Sequence, residues 1–397
     1  MASSPNCWWI GKPPFWPMPL KSSRAIIPKN ALDTNPIIRV IIGGTLLMDR
    51  ISPNLCFKAI STMALTDDQQ TAINQVMSQS VNTTVFHSTE WNALLQETFV
   101  VESITLLAFK EDCLQGVYTF FITSDLKLLS PPEQFESIYG GPIAINDDRG
   151  VICALLQFSR NLRRCSLYRI SVPPEMDLSP FTDRGYSIRK LFYTSLIDLR
   201  KSNEDLWGSF DGKRARTPIR KAEKNGVEVI DGDISNLPSY YLILKDVLSR
   251  ANVHLLPQYY YAKILSSLRR QVRTKFLIAK CRGELVGGAI FLCFGKVACY
   301  WSGATTEAGR DLYASDLIQW EFIKWAKLAG YETYDLLRFH PELLPGITQF
   351  KRKFGGKEIP LYVAERASLG NQLKRAAHAL TDPASIPSKI RSRLRML

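Results

Sequence analysis

The sequence predicts an α/β (α+β) chain built from two copies of one domain. A strand–turn–strand device occurs twice, about 170 residues apart, too long a period for a solenoid and the right size for a duplicated domain. In the second half an amphipathic helix runs directly into a strand, as layered α/β folds require. With 397 residues, 46% of them hydrophobic, the chain can build sizeable cores.

Residues 1–62 follow neither the helical nor the strand period. Cys7-Trp8-Trp9 and Pro13-Pro14-Phe15-Trp16-Pro17 suit no regular element. The segment is expected to be an irregular extension, or a translated upstream stretch before a true start at Met63. The first domain is expected over residues 63–222. Residues 90–96 read as a short helix capped by Ser88 or Thr89. Residues 103–110 read as a strand, Glu111-Asp112 as the turn and 114–123 as the return, with a further strand at 165–172.

The second domain is expected over 223–365 and repeats the device: strand 275–280, turn Cys281-Arg282-Gly283-Glu284, return 285–294, then a strand at 296–303. In both copies the first strand ends in lysine (Lys110, Lys280) and the return carries an early glycine (Gly116, Gly287). Tyr240, Ile243, Leu244 and Val247 mark one face of a helix at 239–250. A second helix spans 316–329, with Ser315 as cap and Gly330 as stop, and leads into a strand at 331–337. Residues 366–397 form a basic tail with seven Lys or Arg against one Asp. Its Ile390, Leu394 and Leu397 alternate with arginines, a pattern that suits an anionic membrane surface or a solvated terminus.

The formal net charge of +13 implies an acidic partner: nucleic acid, a phosphorylated substrate or an anionic membrane. Eight scattered cysteines without a C-x-x-C, and only four histidines, do not provide the usual zinc spacing. Neither metal nor cofactor is expected. The cysteine usage points to a reducing, cytoplasmic setting. No apolar run is long enough to span a bilayer, and the N-terminus lacks signal-peptide order.

Six cations fall within twelve residues: Lys213, Arg214, Arg216, Arg220, Lys221 and Lys224. They can track phosphates, or form one solvated helix face. The sharpest motif is Gly346-Ile347-Thr348-Gln349-Phe350-Lys351-Arg352-Lys353-Phe354-Gly355-Gly356. It sets a cation between two aromatic residues, where its field exceeds that in water, and ends in a Gly-Gly pair that permits close approach of a ligand.

This motif resembles the G-x-x-x-F-K-x-x-F-G-G signature of the Fem-type (FemABX) peptidoglycan bridge aminoacyltransferases and GNAT-like N-acyltransferases. Phe86 to Trp91, Tyr139-Gly140-Gly141-Pro142, residues 214–227, Trp301-Ser302-Gly303-Ala304 and residues 330–336 resemble other family segments in the same order. The resemblance implies two tandem GNAT-like domains, each a mixed sheet flanked by helices. It also implies transfer of an aminoacyl group from aminoacyl-tRNA to an amine of a peptidoglycan precursor. Relatives with this fold acylate other amines.

By the same resemblance Lys351 stabilises charge during transfer. Trp91, Tyr139, Gly140, Gly141, Tyr260, Phe350, Phe354, Gly355 and Gly356 are the expected substrate-binding residues. Residues 87–96 and 253–260 lack the basic residues that family members use for a diphosphate-linked precursor, so another amine acceptor is open. Residues 305–314 also depart from the Q/R-x-x-G-x-G/A loop that binds the pyrophosphate of acyl-CoA. Asp335, near a strand end, is a candidate to accept the amine proton, or to cap a loop or pair with Arg338. No Ser-His-Asp or Cys-His arrangement supports a covalent intermediate. A non-catalytic basic protein that binds nucleic acid or an anionic membrane is the rival reading. The protein is expected in the cytoplasm, peripheral at the inner membrane face.

Overall fold

Apolar residues at alternating or continuous spacing lay down thirteen strands in the computed structural model, which describes residues 55–367 apart from 100, 163 and 269. They are β1 (Cys56–Ser61), β2 (Glu102–Lys110), β3 (Cys113–Ile122), β4 (Lys127–Ser130), β5 (Ile143–Ala144), β6 (Leu167–Ser171), β7 (Ser187–Asp198), β8 (Val227–Asp231), β9 (Arg273–Cys281), β10 (Glu284–Phe294), β11 (Val297–Thr305), β12 (Thr333–Asp335) and β13 (Lys357–Ala367). One sheet contains them in the order β1-β2-β3-β4-β6-β13-β7-β12-β11-β10-β9-β8, with β5 beside β3.

The order shows the duplication. Each half has antiparallel strands followed by one parallel pair, β4 with β6 and β11 with β12. Both predicted hairpins form. Their turns place Glu111 and Arg282 in the left-handed region, and each return strand carries a bulge near its start. The halves then exchange their last strands. β7 pairs antiparallel with β12 of the second half, β13 pairs antiparallel with β6 of the first, and β7 and β13 pair with each other.

The exchange links strands on both sides of the boundary expected at residue 222. After β7, Leu206, Phe210, Ile219 and Ala222 join Leu317, Phe322 and Tyr334 in one core of the second half. Ala364 of β13 packs into the first-half core with Tyr118, Phe120 and Leu155. The irregular stretch expected through residue 62 is also shorter, because β1 pairs with β2 along six residues and buries Phe57. That pairing places ordered chain before Met63. Residues 1–54 and 368–397, including the membrane-suited part of the tail, lie outside the described residues.

Helices form where apolar residues take the 3.6 period. Thr89–Phe99 is capped by Ser88, whose Oγ accepts from Trp91 N at 3.2 Å. Leu237–Arg250 and Ala314–Leu328 match the two expected helices, and the latter stops at Gly330 (φ 85°). Ser315 does not cap that helix. It lies inside the first turn, and left-handed Tyr313 is the N-cap residue. A third core closes the seam between the halves, with Phe86, Trp91 and Tyr139 meeting Tyr240, Tyr260 and Trp301. Each fully buried apolar side chain of this size contributes about 1.5–3 kcal/mol. Among the described residues no helix is long and apolar enough to cross a membrane.

Candidate active site

Parallel pairing of β11 with β12 stops at Cys299 and Asp335. β11 runs on to Thr305, whereas the chain after Asp335 turns toward β7: Leu336 N donates to Ser195 O, and Phe339 bridges Tyr193. The strands therefore part just beyond Asp335, and the helix Pro345–Arg352 packs beside the opening, its Phe350 ring 6.2 Å from that of Tyr300.

Asp335 is buried at this fork. Its Oδ1 accepts from the Thr194 hydroxyl and from Leu337 N at 2.7 Å, and its Oδ2 accepts from Tyr139 Oη at 3.0 Å. Burial raises its pKa above the ordinary carboxylate range, and the hydrogen bonds oppose that shift. Leu337, in the left-handed region at φ 57°, presents its carbonyl to Lys351 Nζ at 3.1 Å, and the Arg338 carbonyl lies at 2.9 Å. Holding a non-glycine residue there costs about 1–3 kcal/mol. Burial lowers the Lys351 pKa to about 7, with Asp335 opposing the shift and Arg338 reinforcing it. An ammonium has three donors. Two are used by carbonyls, which leaves one for a developing anion.

Lys351 lies 6.0 Å from the Tyr300 ring centroid. On the outer side of Phe350 an open cleft of about 420 Å³ is lined by Lys213, Arg214, Lys221, Tyr313, Phe350 and Lys353. Lys221 stands over the Tyr313 ring at 5.7 Å, and Lys353 over Phe350 at 4.5 Å while paired to Asp316 at 2.5 Å. Cations over aromatic walls suit stacked bases and phosphates.

Residues 212–352 match the acetyltransferase (GNAT) domain family. The protein is an acyltransferase of the GNAT type. FemX shares its fold with a TM-score of 0.63 at 14% identity, over 77% of this chain and 97% of FemX. The C-terminal domain (DUF2156) of a putative lysylphosphatidylglycerol synthetase from Agrobacterium fabrum gives 0.50 at 16% identity, over 80% and 98% of the two chains. L-PGS from Bacillus licheniformis gives 0.51 at 13%, over 77% and 94%. At such identities the likeness is one of fold. No curated protein sequence matches the chain.

The GNAT-type acyltransferase gathers some of the expected residues and disperses others. Lys351, Asp335 and Tyr139 meet at the fork. Phe350 and three of the six clustered cations (Lys213, Arg214 and Lys221) line the cleft. Arg220 stacks on Trp207 at 5.4 Å, Arg216 folds back against Gly212, and exposed Lys224 does not line the cleft.

Several expected substrate contacts are instead structural. Trp91 is fully buried and donates through Nε1 to Ser137 Oγ at 2.6 Å. Tyr260 is fully buried and donates to Phe135 O at 2.8 Å. Phe354 fills the core against Phe210. Gly355 and Gly356 admit protein rather than ligand, because a Cβ there would overlap the Ser209 carbonyl and Ser195 Oγ respectively. Gly140 and Gly141 likewise dock on their own half, their N–H groups donating to Ser171 O at 2.8 Å and Ser130 Oγ at 2.9 Å. Asp335 does not face an open acceptor site, since its carboxylate is already held by three donors. Tyr300 was missed, because no local pattern marks it; Arg338, expected only as a partner of Asp335, instead pairs with Glu133 and gives its carbonyl to Lys351.

Proposed function

We propose that this acyltransferase moves an aminoacyl group from aminoacyl-tRNA to an amine of a cell-wall peptide precursor. The observation that carries the reading is the unused donor of Lys351 beside a cationic, aromatic-walled cleft. The neutral acceptor amine attacks the ester carbonyl while Lys351 donates its third N–H as a hydrogen bond to the oxyanion; the tetrahedral intermediate then breaks the C–O bond, and the proton the amine gives up passes to the leaving 3′-oxygen. Asp335 positions the Lys351 cage through Leu337 and has no proton-transfer role. Lys213, Arg214 and Lys221 hold phosphates of the tRNA end. A tRNA donor places the reaction in the cytoplasm, with the basic tail available for contact with the inner membrane face.

Local geometry after β11 supports this donor over acyl-CoA. There the short helix Glu307–Asp311 uses Thr306 Oγ to accept from Gly309 N at 2.9 Å, and Thr306 N donates to Val286 O at 3.0 Å. Its first turn carries Glu307. Satisfied N–H groups and an acidic side chain oppose a pyrophosphate there. The acetyltransferase family match favours a second reading, an N-acyltransferase that uses acyl-CoA on a non-muropeptide amine.

The test offers radiolabelled aminoacyl-tRNAs and acyl-CoAs to the purified full chain, with muropeptide precursors and a panel of free amines. Label passing from tRNA to a muropeptide amine is expected. Label passing only from acyl-CoA overturns the donor, and label reaching only other amines overturns the acceptor. Lys351→Ala should cut transfer roughly 10²–10³-fold while leaving tRNA binding nearly intact. A salt-sensitive binder without turnover would be the non-catalytic alternative.

A further inference from the structure

We infer that the Glu136 carboxylate, at the seam between the halves, binds a primary ammonium group of the acceptor. This deepens the amine-acceptor reading above and rests on it. Two glutamates three residues apart have contrasting surroundings. Glu133 is claimed by Arg169, Arg338 and the Ser171 hydroxyl. Glu136 makes no side-chain hydrogen bond or ion pair among the described residues, and it is half-buried.

Its backbone is held in the left-handed region (φ 58°), and Trp301 Nε1 donates to its carbonyl at 3.1 Å. A second observation comes from Tyr261. Its hydroxyl is fully buried without a hydrogen-bond partner and lies within electrostatic reach of Glu136. The nearby cation, Arg338, is already committed, at 3.7 Å from Glu133 and with its guanidinium over the Phe192 ring at 5.4 Å. Burial raises the Glu136 pKa to about 7, and Arg338 only partly opposes the shift. A half-buried carboxylate without a bonded counter-ion beside an orphan hydroxyl is matched by an ammonium, which supplies both charge and donors.

The acceptor, rather than the donor, is the fitting occupant. The donor cleft carries the cations outside Phe350, whereas Glu136 neighbours Arg338, whose carbonyl holds Lys351 Nζ. An ammonium bound there lies outside the cationic cleft, with Arg338 between it and Lys351 as the shared neighbour.

Cadaverine is the probe, titrated into the full chain and followed by tryptophan fluorescence, since Trp301 bonds directly to Glu136. A saturable response to cadaverine and none to 1,5-pentanediol is expected. Glu136→Gln should weaken cadaverine at least tenfold, and Glu136→Asp, which keeps the charge, should stay within a few-fold of the native affinity. No response from the native chain, or equal affinity in Glu136→Gln, would overturn the inference. So would equal loss in Glu136→Asp. Thermal unfolding separates folding from binding: Glu136→Gln should melt at or above the native temperature, because it removes an uncompensated charge, and a lower value would make Glu136 structural. This binding uses no donor. Failure of the tRNA transfer assay therefore overturns the donor reading alone, and failure of cadaverine binding overturns this site alone.

Discussion

Tyr139 Oη donates to Asp335 Oδ2 at 3.0 Å, and this one bond ties a turn of the first half to the end of the last parallel strand of the second. Both groups are buried, so removing one partner leaves the other short of a bond. Tyr139→Phe should cost about 1–3 kcal/mol, measured by urea denaturation. Transfer should fall with it, because Asp335 also holds Leu337, whose carbonyl cages Lys351. Unchanged stability and rate would detach Tyr139 from the site.

Lys351 should impose a pH limit on activity. Its pKa is lowered to about 7, and the cation is the form that stabilises the anion, so the rate should fall as pH rises through about 7. Lys351→Ala should lose roughly 10²–10³ in rate, in line with removal of an oxyanion donor. A profile that rises across this range would instead make the neutral amine the active form.

The same shift predicts a stability signature. Between about 7 and the ordinary 10.5 the unfolded chain holds a proton that the folded chain has released. The unfolded state binds more protons there, so the Lys351 contribution makes stability rise with pH across that window. Lys351→Met should remove that rise in denaturation midpoints measured at stepped pH. An identical slope in both proteins would contradict the burial of this amine.

The cleft should give a salt dependence that divides the basic cluster. Replacing Lys213, Arg214 and Lys221 by Gln should reduce the slope of log K against log salt for tRNA by about 2, from roughly 0.7 per single-strand contact. Lys224→Gln, outside the cleft, should leave it unchanged. Equal effects from both sets would mean a diffuse basic face.

Gly355→Ala tests the structural reading of the Gly-Gly pair. Gly355 has φ 69°, and a Cβ would overlap the Ser209 carbonyl. The substitution should cost about 1–3 kcal/mol, read in the denaturation midpoint, while the donor KM stays the same. A KM change at unchanged stability would return the pair to the ligand.

The sequence by itself determined the duplication, both hairpins, the two long second-half helices and the motif around Lys351. These follow from local periodicity, turn residues and spacing, which act over a few positions. Only the tertiary structure decided that β7 and β13 change places, because strand order depends on pairings between residues far apart in sequence. It also decided which conspicuous residues face a ligand. Trp91, Tyr260, Phe354 and Gly356 carry the same local signature whether a protein atom or a substrate fills the space beside them. Burial, the approach of Ser209 and Ser195, and the three donors on Asp335 arise only when distant segments meet, and they separate the structural residues from Lys351.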